Sequence, residues 1–240
     1  MIFKDLGIID YKTAWNYQES LVNEGRDIKS KARLNGNEVM PPQKLDTKHY
    51  LLFCEHFPVY TLGKSGSMSN VLMSEQEMSE REIQFFNTNR GGDITFHGLQ
   101  QIVGYPILDL EKYYTDIGKY LRNLEEVIIL TIAEYGLEGK RSPGETGVWL
   151  DPGVAGRERK ICAMGIRCSR WITMHGFALN VNTDLSYFEN IIPCGIVNKQ
   201  VTSMKKELGK RVDFDEVKRK LLQNFEIVFS AQIVQLSEVE

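Results

Sequence analysis

Two β-prone runs that follow each other almost without a break constrain the fold of this chain most. The runs are "KICAMGIRCS" (160–169) and "WITMHGFALNV" (171–181), and little more than Arg170 separates them. So short a connection predicts a hairpin or an adjacent strand pair. Parallel strands would instead need a crossover of a dozen or more residues.

Helical periodicity is clearest over 116–136, where the apolar residues share one side and Gly136 follows. Residues 11–24 have the same spacing and stop at Gly25, a residue typical of helix ends. The polar segment 25–49 contains Gly36 and a Pro-Pro pair, so we expect a loop or an ordered insertion there.

Two further helix starts are predicted from capping residues. Ser74 and Glu77 form a capping box, and Asp213 and Glu216 precede a last amphipathic segment. Helices and hairpins without regular βαβ alternation indicate an α+β fold. At 240 residues we expect one domain over 1–240.

Composition excludes several classes of function. The net charge is −3 and the sequence pI is about 5.9, so the overall charge does not suggest a nucleic-acid partner. No apolar run approaches the ~18 residues that span a bilayer, and the first segment does not resemble a secretory signal. Four irregularly spaced cysteines indicate neither a disulfide framework nor a zinc pair, and we expect a cytoplasmic protein with reduced thiols.

The first candidate functional segment is "RGGDITFHG", residues 90–98. Its paired glycines allow the backbone to approach a ligand closely, and Arg90 and His97 add polar groups on either side. A β-turn with two surface side chains explains the same pattern, and the segment alone does not decide between the two.

The second candidate segment begins with Lys160, which opens an apolar strand. Desolvation would lower the pKa of this lysine and let it act as a base, although a snorkelling strand-end lysine is the more common case. The small residues Ala163, Gly165, Gly176 and Ala178 leave space on these strands. An acyl chain or a closely packed helix would fit that space.

The third candidate is Cys194 in "ENIIPCGIVNKQVTS", residues 189–203. Pro193 and Gly195 flank it and favour a sharply turned loop. A free cysteine is more often a packed apolar residue than a nucleophile. A neighbouring cation would favour the thiolate, but spacing alone does not place Lys160 beside Cys194.

Several motifs, taken in order, resemble the lipoyl(octanoyl) transferases, the LipB family: "EHFPVYTLGK", "RGGDITFHG", "GVWL", "KICAMGIR", "HGFALNV" and "PCGI…VTS". The resemblance implies a mixed β-sheet packed with helices, like the catalytic domains of biotin and lipoate protein ligases. It implies transfer of octanoyl from octanoyl-acyl carrier protein to a lysine of lipoyl domains, through a cysteine thioester and with no cofactor. The implied acceptors are the lipoyl domains of 2-oxoacid dehydrogenase complexes and the glycine cleavage H protein.

The resemblance also implies roles for individual residues. Cys194 matches the acyl-thioester nucleophile, and Lys160 matches the base that lowers its pKa. The family's acyl-binding segments fall on Arg90, Gly91, Gly92, Asp93, Ile94, Thr95, Phe96 and His97, on Ala163, Met164 and Gly165, and on Gly176, Phe177 and Ala178.

The chain departs from the family pattern after His97. The usual H-G-P-G-Q is here His97-Gly98-Leu99-Gln100-Gln101, which lacks the proline and the second glycine. If that glycine has a positive φ, Gln100 would be strained by roughly 1 kcal/mol or more.

The remaining cysteines and histidines are interpreted as structural or exposed. Cys54, Cys162 and Cys168 are expected to be structural, and His49 to lie at the surface. His56 and His175 are expected to be structural histidines with satisfied hydrogen bonds.

Three other functions fit parts of the sequence. An ATP-dependent lipoate or biotin ligase would share the fold, although the chain has neither a P-loop nor a G-x-G-x-x-G motif. A thiol hydrolase would use His97 or His175 as the base beside the cysteine. A non-catalytic protein that binds lipoyl domains is the third.

Overall fold

A mixed β-sheet forms the centre of the computed structural model, which describes residues 1–34, 41–192 and 200–235. Its order is β10-β8-β9-β6-β2-β1-β11, with β7 paired to β8; a second sheet has the order β4-β3-β5. The strands are β1 (Ile2–Ile8), β2 (Tyr50–Glu55), β3 (Val59–Leu62), β4 (Gln84–Asn87), β5 (Ile94–His97), β6 (Gln101–Ile107), β7 (Val148–Leu150), β8 (Arg159–Ser169), β9 (Ile172–Asn180), β10 (Gln200–Val201) and β11 (Val234–Gln235).

Helices cover both faces of the large sheet. The described helices are α1 (Tyr11–Leu34), α2 (Glu75–Glu80), α3 (Ile117–Ala133), α4 (Met204–Leu208) and α5 (Phe214–Phe229), of which α2 packs against the small sheet. Helices α3 and α5 pack in the main core on one face, and α1 packs on the other. None of the described helices is both long enough and apolar enough to cross a bilayer.

The predicted hairpin is confirmed. Strands β8 and β9 pair in antiparallel register from Cys162–Leu179 to Ser169–Ile172. Only Arg170 and Trp171 connect them, with φ of 51° and 65°. Two consecutive positive φ values are what the tight type I′ hairpin turn requires. The mixed sheet packed with helices also confirms the predicted fold class.

The capping predictions are confirmed as well. Ser74 and Glu77 form a reciprocal capping box, and the Asp213 side chain accepts a hydrogen bond from the Glu216 backbone N–H. The helix predicted over 116–136 runs over Ile117–Ala133, with Asp116 as its N-cap.

The predicted end of the first helix was wrong. Helix α1 continues through Gly25 to Leu34, so 25–34 is not a loop. A Cβ at Gly25 would lie 2.7 Å from Cδ1 of Ile172 on β9. The glycine therefore allows close packing of helix on sheet, and does not end the helix. Within the rest of the predicted loop, Pro42–Lys44 forms a short 3₁₀ helix.

Gln100 has a φ of 61°, so the condition stated for strain at this position is met. Its backbone carbonyl accepts hydrogen bonds from Asn182 N–H and from the Thr183 hydroxyl, both at 3.0 Å. Its side-chain Oε1 accepts from Asn182 Nδ2 and Arg211 Nη2, both at 2.9 Å. These bonds hold the residue in a backbone conformation that a glycine would adopt without strain.

Replacing Gln100 by glycine and by alanine separates the strain from the hydrogen bonds. Both variants lose the side-chain bonds, but only Gln100→Ala keeps a Cβ at positive φ. We expect Gln100→Ala to be about 1 kcal/mol less stable than Gln100→Gly in urea unfolding. Equal stability, or a more stable alanine variant, would show that the turn carries no strain.

Candidate active site

A pocket lies on the α1 face of the large sheet, between β6, β8, β9 and the loop before β5. Lys160 lines it together with most of the predicted acyl-binding residues: Arg90, Gly92, Asp93, Ile94, Thr95, His97, Ala163, Met164, Gly165, Gly176, Phe177 and Ala178. The fold thus brings together residues from three separate segments of the sequence.

Gly91 and Phe96 are not among the residues that line the pocket. The Gly91 N–H donates to the Ile166 carbonyl at 2.8 Å, which docks the loop onto β8. The Phe96 ring stacks on Tyr187 at 4.5 Å between centroids, inside the core of the small sheet. Both residues support the pocket from behind its wall.

Two of the glycines that line the pocket also pack closely against the backbone of other segments. A Cβ at Gly165 would lie 2.6 Å from the Gly91 carbonyl oxygen, and one at Gly176 would lie 2.2 Å from that of Gly104. No side chain fits at such distances. Their small size makes room for neighbouring backbone, and both line the pocket together with Ala163 and Ala178.

Arg90 holds the loop before β5 against the small sheet through hydrogen bonds of its guanidinium group. Its Nη2 donates to the Thr61 carbonyl at 2.6 Å and to Thr61 Oγ1 at 2.9 Å, and its Nη1 donates to the Gly91 carbonyl at 3.0 Å. The side chain is only 7% exposed. These contacts place the guanidinium in the wall of the pocket.

A line of buried hydrogen bonds continues from Thr61 across the sheet. The Thr61 hydroxyl lies 3.3 Å from His97 Nε2, and His97 Nδ1 lies 2.9 Å from Gln101 Oε1. Gln101 Nε2 donates to Asn180 Oδ1 at 2.8 Å, and Asn180 Nδ2 donates to the Thr202 carbonyl at 3.0 Å. Because the Gln101 nitrogen donates to Asn180, the Gln101 oxygen faces His97 and can only accept. His97 therefore carries its proton on Nδ1 and accepts at Nε2.

The pocket histidines are poor candidates for a general base. Burial lowers the pKa of His97 well below its usual value and that of His175 to about 3. His175 Nε2 also bonds to Asn89 Oδ1 at 2.8 Å. A base with so low a pKa takes up a proton poorly near neutral pH, which disfavours a Cys/His hydrolase.

Of the other two histidines, His56 has the buried structural position that was predicted and His49 does not have the exposed position that was predicted. His56 is buried, and its nitrogens bond to the Ile9 carbonyl at 2.8 Å and the Tyr105 hydroxyl at 2.7 Å, as expected of a structural histidine. The surface position predicted for His49 was wrong. Its ring is half-buried, and Nδ1 lies 3.0 Å from the Tyr113 hydroxyl.

Lys160 is half-buried in the pocket wall near the start of β8. Its ammonium lies 4.6 Å from the centroid of the Trp149 indole ring. Its backbone carbonyl accepts from the Thr202 N–H at 2.9 Å, next to β10.

Cys194 lies outside the described residues, but the chain on both sides of its segment is described. Ile192 N–H donates to the Asn70 carbonyl at 2.8 Å, and Asn70 Nδ2 donates to the pocket residue Asp93 at 2.6 Å. Gln200 pairs with Arg159 at the start of β8. Ile192 and Gln200, on either side of this segment, thus both lie close to residues of the pocket wall.

The three other cysteines do not suit nucleophilic chemistry. Cys54 and Cys162 are buried and Cys168 is half-buried. Burial raises the pKa of all three thiols. Each therefore stays protonated near neutral pH, as expected of structural cysteines.

Several pocket residues were missed in the sequence, although strand alternation could have identified some of them. Asn180 is two residues beyond Ala178 on β9 and therefore faces the same side. The same alternation relates Gln101, Val103 and Tyr105 on β6. The missed residues are Tyr11, Gln101, Val103, Tyr105, His175, Asn180, Phe188 and Val201.

Known proteins resemble this chain over nearly its whole length. Residues 10–226 match the family described as the lipoyl protein ligase A/B catalytic domain. The chain is 58% identical to an octanoyltransferase of Christiangramia forsetii, over 96% of each chain. It is also 58% identical to an octanoyltransferase of Flavobacterium johnsoniae, over 96% of this chain and 97% of that protein.

Solved structures share the fold at low sequence identity. A bipartite lipoate protein ligase from Thermoplasma acidophilum superposes with a TM-score of 0.64 and 18% identity, over 99% of this chain and 88% of that one. A lipoate-protein ligase A bound with ATP superposes with a TM-score of 0.66 and 15% identity, over 99% of this chain and 88% of that one.

The buried histidines make stability depend on pH. Burial lowers the pKa of His56 to about 4 and that of His175 to about 3, and it lowers that of His97 as well. In the unfolded chain each imidazole takes up a proton near pH 6.5, so the unfolded state gains protons first. We expect the free energy of unfolding to fall between pH 6.5 and 5, by up to about 1.4 kcal/mol per pH unit for each histidine.

Urea unfolding at several pH values measures this slope, with His56→Gln as the comparison. In that variant the free energy of unfolding should fall less steeply with decreasing pH, by the contribution of one histidine. A stability that stays constant over this range would contradict the neutral state of the three rings.

Proposed function

Because this chain belongs to the octanoyltransferase family of lipoyl protein ligase A/B catalytic domains, we propose how it carries out octanoyl transfer in protein lipoylation. The donor is octanoyl-acyl carrier protein. The acceptor is a specific lysine of lipoyl domains, in 2-oxoacid dehydrogenase complexes and in the glycine cleavage H protein. The acyl group passes through a thioester on Cys194.

The observation that carries this proposal is an apolar-walled pocket with a half-buried lysine in its wall. Ile94, Val103, Met164 and Ala178 supply apolar surface to the pocket. Asn180 lies four positions beyond Gly176 on β9, a distance of roughly 13 Å along the strand. An extended eight-carbon chain is roughly 9 Å long and fits this span. Burying each methylene contributes about 0.8 kcal/mol.

In the first half-reaction Lys160 removes the proton from the Cys194 thiol. The thiolate attacks the carbonyl carbon of the octanoyl thioester on the carrier protein. The bond from that carbon to the carrier's sulfur breaks, and Lys160 returns the proton to the departing thiolate. The octanoyl group is now a thioester on Cys194, and the carrier leaves with a free thiol.

In the second half-reaction the acceptor lysine enters as a neutral amine and attacks the thioester carbonyl. Lys160 accepts the amine proton and passes it to the Cys194 sulfur as the carbon–sulfur bond breaks. The product is an amide on the lipoyl domain, and the free thiol is restored. Splitting the reaction into two steps lets each large partner leave before the next binds.

An ATP-dependent ligase is the alternative function with the same fold. The compared ligase structures share only 15–18% identity with this chain, whereas the compared octanoyltransferases share 58%. This difference supports the transferase. The transferase requires no ATP, since the thioester donor is already activated.

Replacing Lys160 by arginine separates charge from proton transfer. A guanidinium keeps the positive charge but does not deprotonate in proteins. We expect Lys160→Arg to lose transfer by about two orders of magnitude, a typical general acid–base contribution. Alkylation of Cys194 by iodoacetamide should fall much less, since a cation still favours the thiolate.

Cys194→Ser is the matched control for both measurements. It defines the background of transfer and of alkylation, because the three other cysteines are buried or half-buried. If Lys160→Arg retains both transfer and alkylation, Lys160 is not the base. Transfer by Cys194→Ser at the wild-type rate would exclude the thioester.

A further inference from the structure

Thr202 uses all three of its polar groups to join separate elements. It is fully buried, at 0% exposure. Its N–H donates to the Lys160 carbonyl at 2.9 Å, and its carbonyl accepts from Asn180 Nδ2 at 3.0 Å. Its hydroxyl donates to Glu207 Oε1 on α4 at 2.5 Å. One residue therefore connects β8, β9 and α4.

The carboxylate that receives the Thr202 hydroxyl is itself held in place. Arg159 binds Glu207 through two bonds, Nε to Oε1 and Nη2 to Oε2, both at 2.7 Å. Arg159 also donates to Asp151 at 2.7 Å. The Glu207 side chain is 13% exposed, so the pair is only weakly screened by solvent. Arg159 directly precedes Lys160 on β8.

The strand next to Thr202 needs such support. Strand β10 contains only Gln200 and Val201, which pair in parallel with Arg159 and Lys160. Two paired residues supply few backbone hydrogen bonds, and each such bond contributes only modestly to stability because it replaces a bond to water. The hydrogen bonds of Thr202 to Glu207 and Asn180 add to these backbone bonds at the C-terminal end of β10, which lies beside Lys160.

We infer that Thr202 is a positioning residue for acyl transfer, which holds β10 against the start of β8 and so fixes the backbone of Lys160. The inference rests on the proposed role of Lys160 as the base. Thr202 itself does not line the pocket. It acts through the hydrogen bond from its backbone N–H to the Lys160 carbonyl. Its hydroxyl bond to Glu207 holds Thr202 in the position that this backbone bond requires.

The substitutions Thr202→Val and Thr202→Ser test this inference. Valine has nearly the same shape as threonine but cannot donate to Glu207, whereas serine keeps the hydroxyl. We expect Thr202→Val to lower kcat for octanoyl transfer about tenfold or more with little change in KM, because small misplacements near reacting groups cost rate. Thr202→Ser should restore most of kcat.

Thr183→Val is the matched control. Thr183 is also buried, and its hydroxyl donates to the Gln100 carbonyl at 3.0 Å, away from Lys160. This variant loses a comparable hydrogen bond, and its thermal unfolding temperature should shift by a similar amount. Its kcat should stay at the wild-type value. Equal losses of kcat in Thr183→Val and Thr202→Val would reduce Thr202 to a structural residue.

Other outcomes are distinguishable from a failure of the proposed function. If the wild-type protein transfers octanoyl and a folded Thr202→Val keeps its kcat, the inference is wrong and the function stands. If the wild-type protein does not transfer at all, the proposed function itself fails. Should Thr202→Val not fold, Glu207→Met removes the acceptor of the Thr202 hydroxyl at similar side-chain length, and an unchanged kcat in that variant would overturn the inference.

Discussion

A line of buried hydrogen bonds ties the small sheet to the large one, and the pocket between them depends on it. The line runs from Arg90 through Thr61, His97 and Gln101 to Asn180. All five side chains are buried. Removing one member leaves a buried partner unsatisfied, at a cost of about 1–3 kcal/mol. Burial of the same line lowers the pKa of His97 and keeps its ring neutral, although the bond to Gln101 acts in the opposite direction, so Lys160 remains the base that the proposed chemistry needs.

Features that depend on neighbouring residues could be predicted from the sequence. The β8–β9 hairpin follows from its two-residue connection, and the helix starts at Ser74 and Asp213 follow from their own capping side chains. Each of these depends on interactions within a few residues along the chain.

Features that depend on distant residues could not be predicted in this way. Gly25 resembles a helix end, but its partner is Ile172, far along the chain. Gly165 and Gly176 line the pocket, but a Cβ at either position would also meet the backbone of a distant segment. The candidate segment 90–98 contains strand β5, which was not predicted from the sequence because its partner β3 is not adjacent to it in sequence. Tertiary contacts decide each of these positions.

The central claim is that Cys194 carries the acyl group between two protein partners, while Lys160, from a different segment, moves the proton in each step. Intact-mass measurement after incubation with octanoyl-acyl carrier protein, without ATP, tests it most directly. The account predicts that the wild-type protein gains the mass of one octanoyl group, that Cys194→Ser gains none, and that an added lipoyl domain removes the adduct. Transfer without any adduct, or an adduct that forms only when ATP is present, would contradict the account.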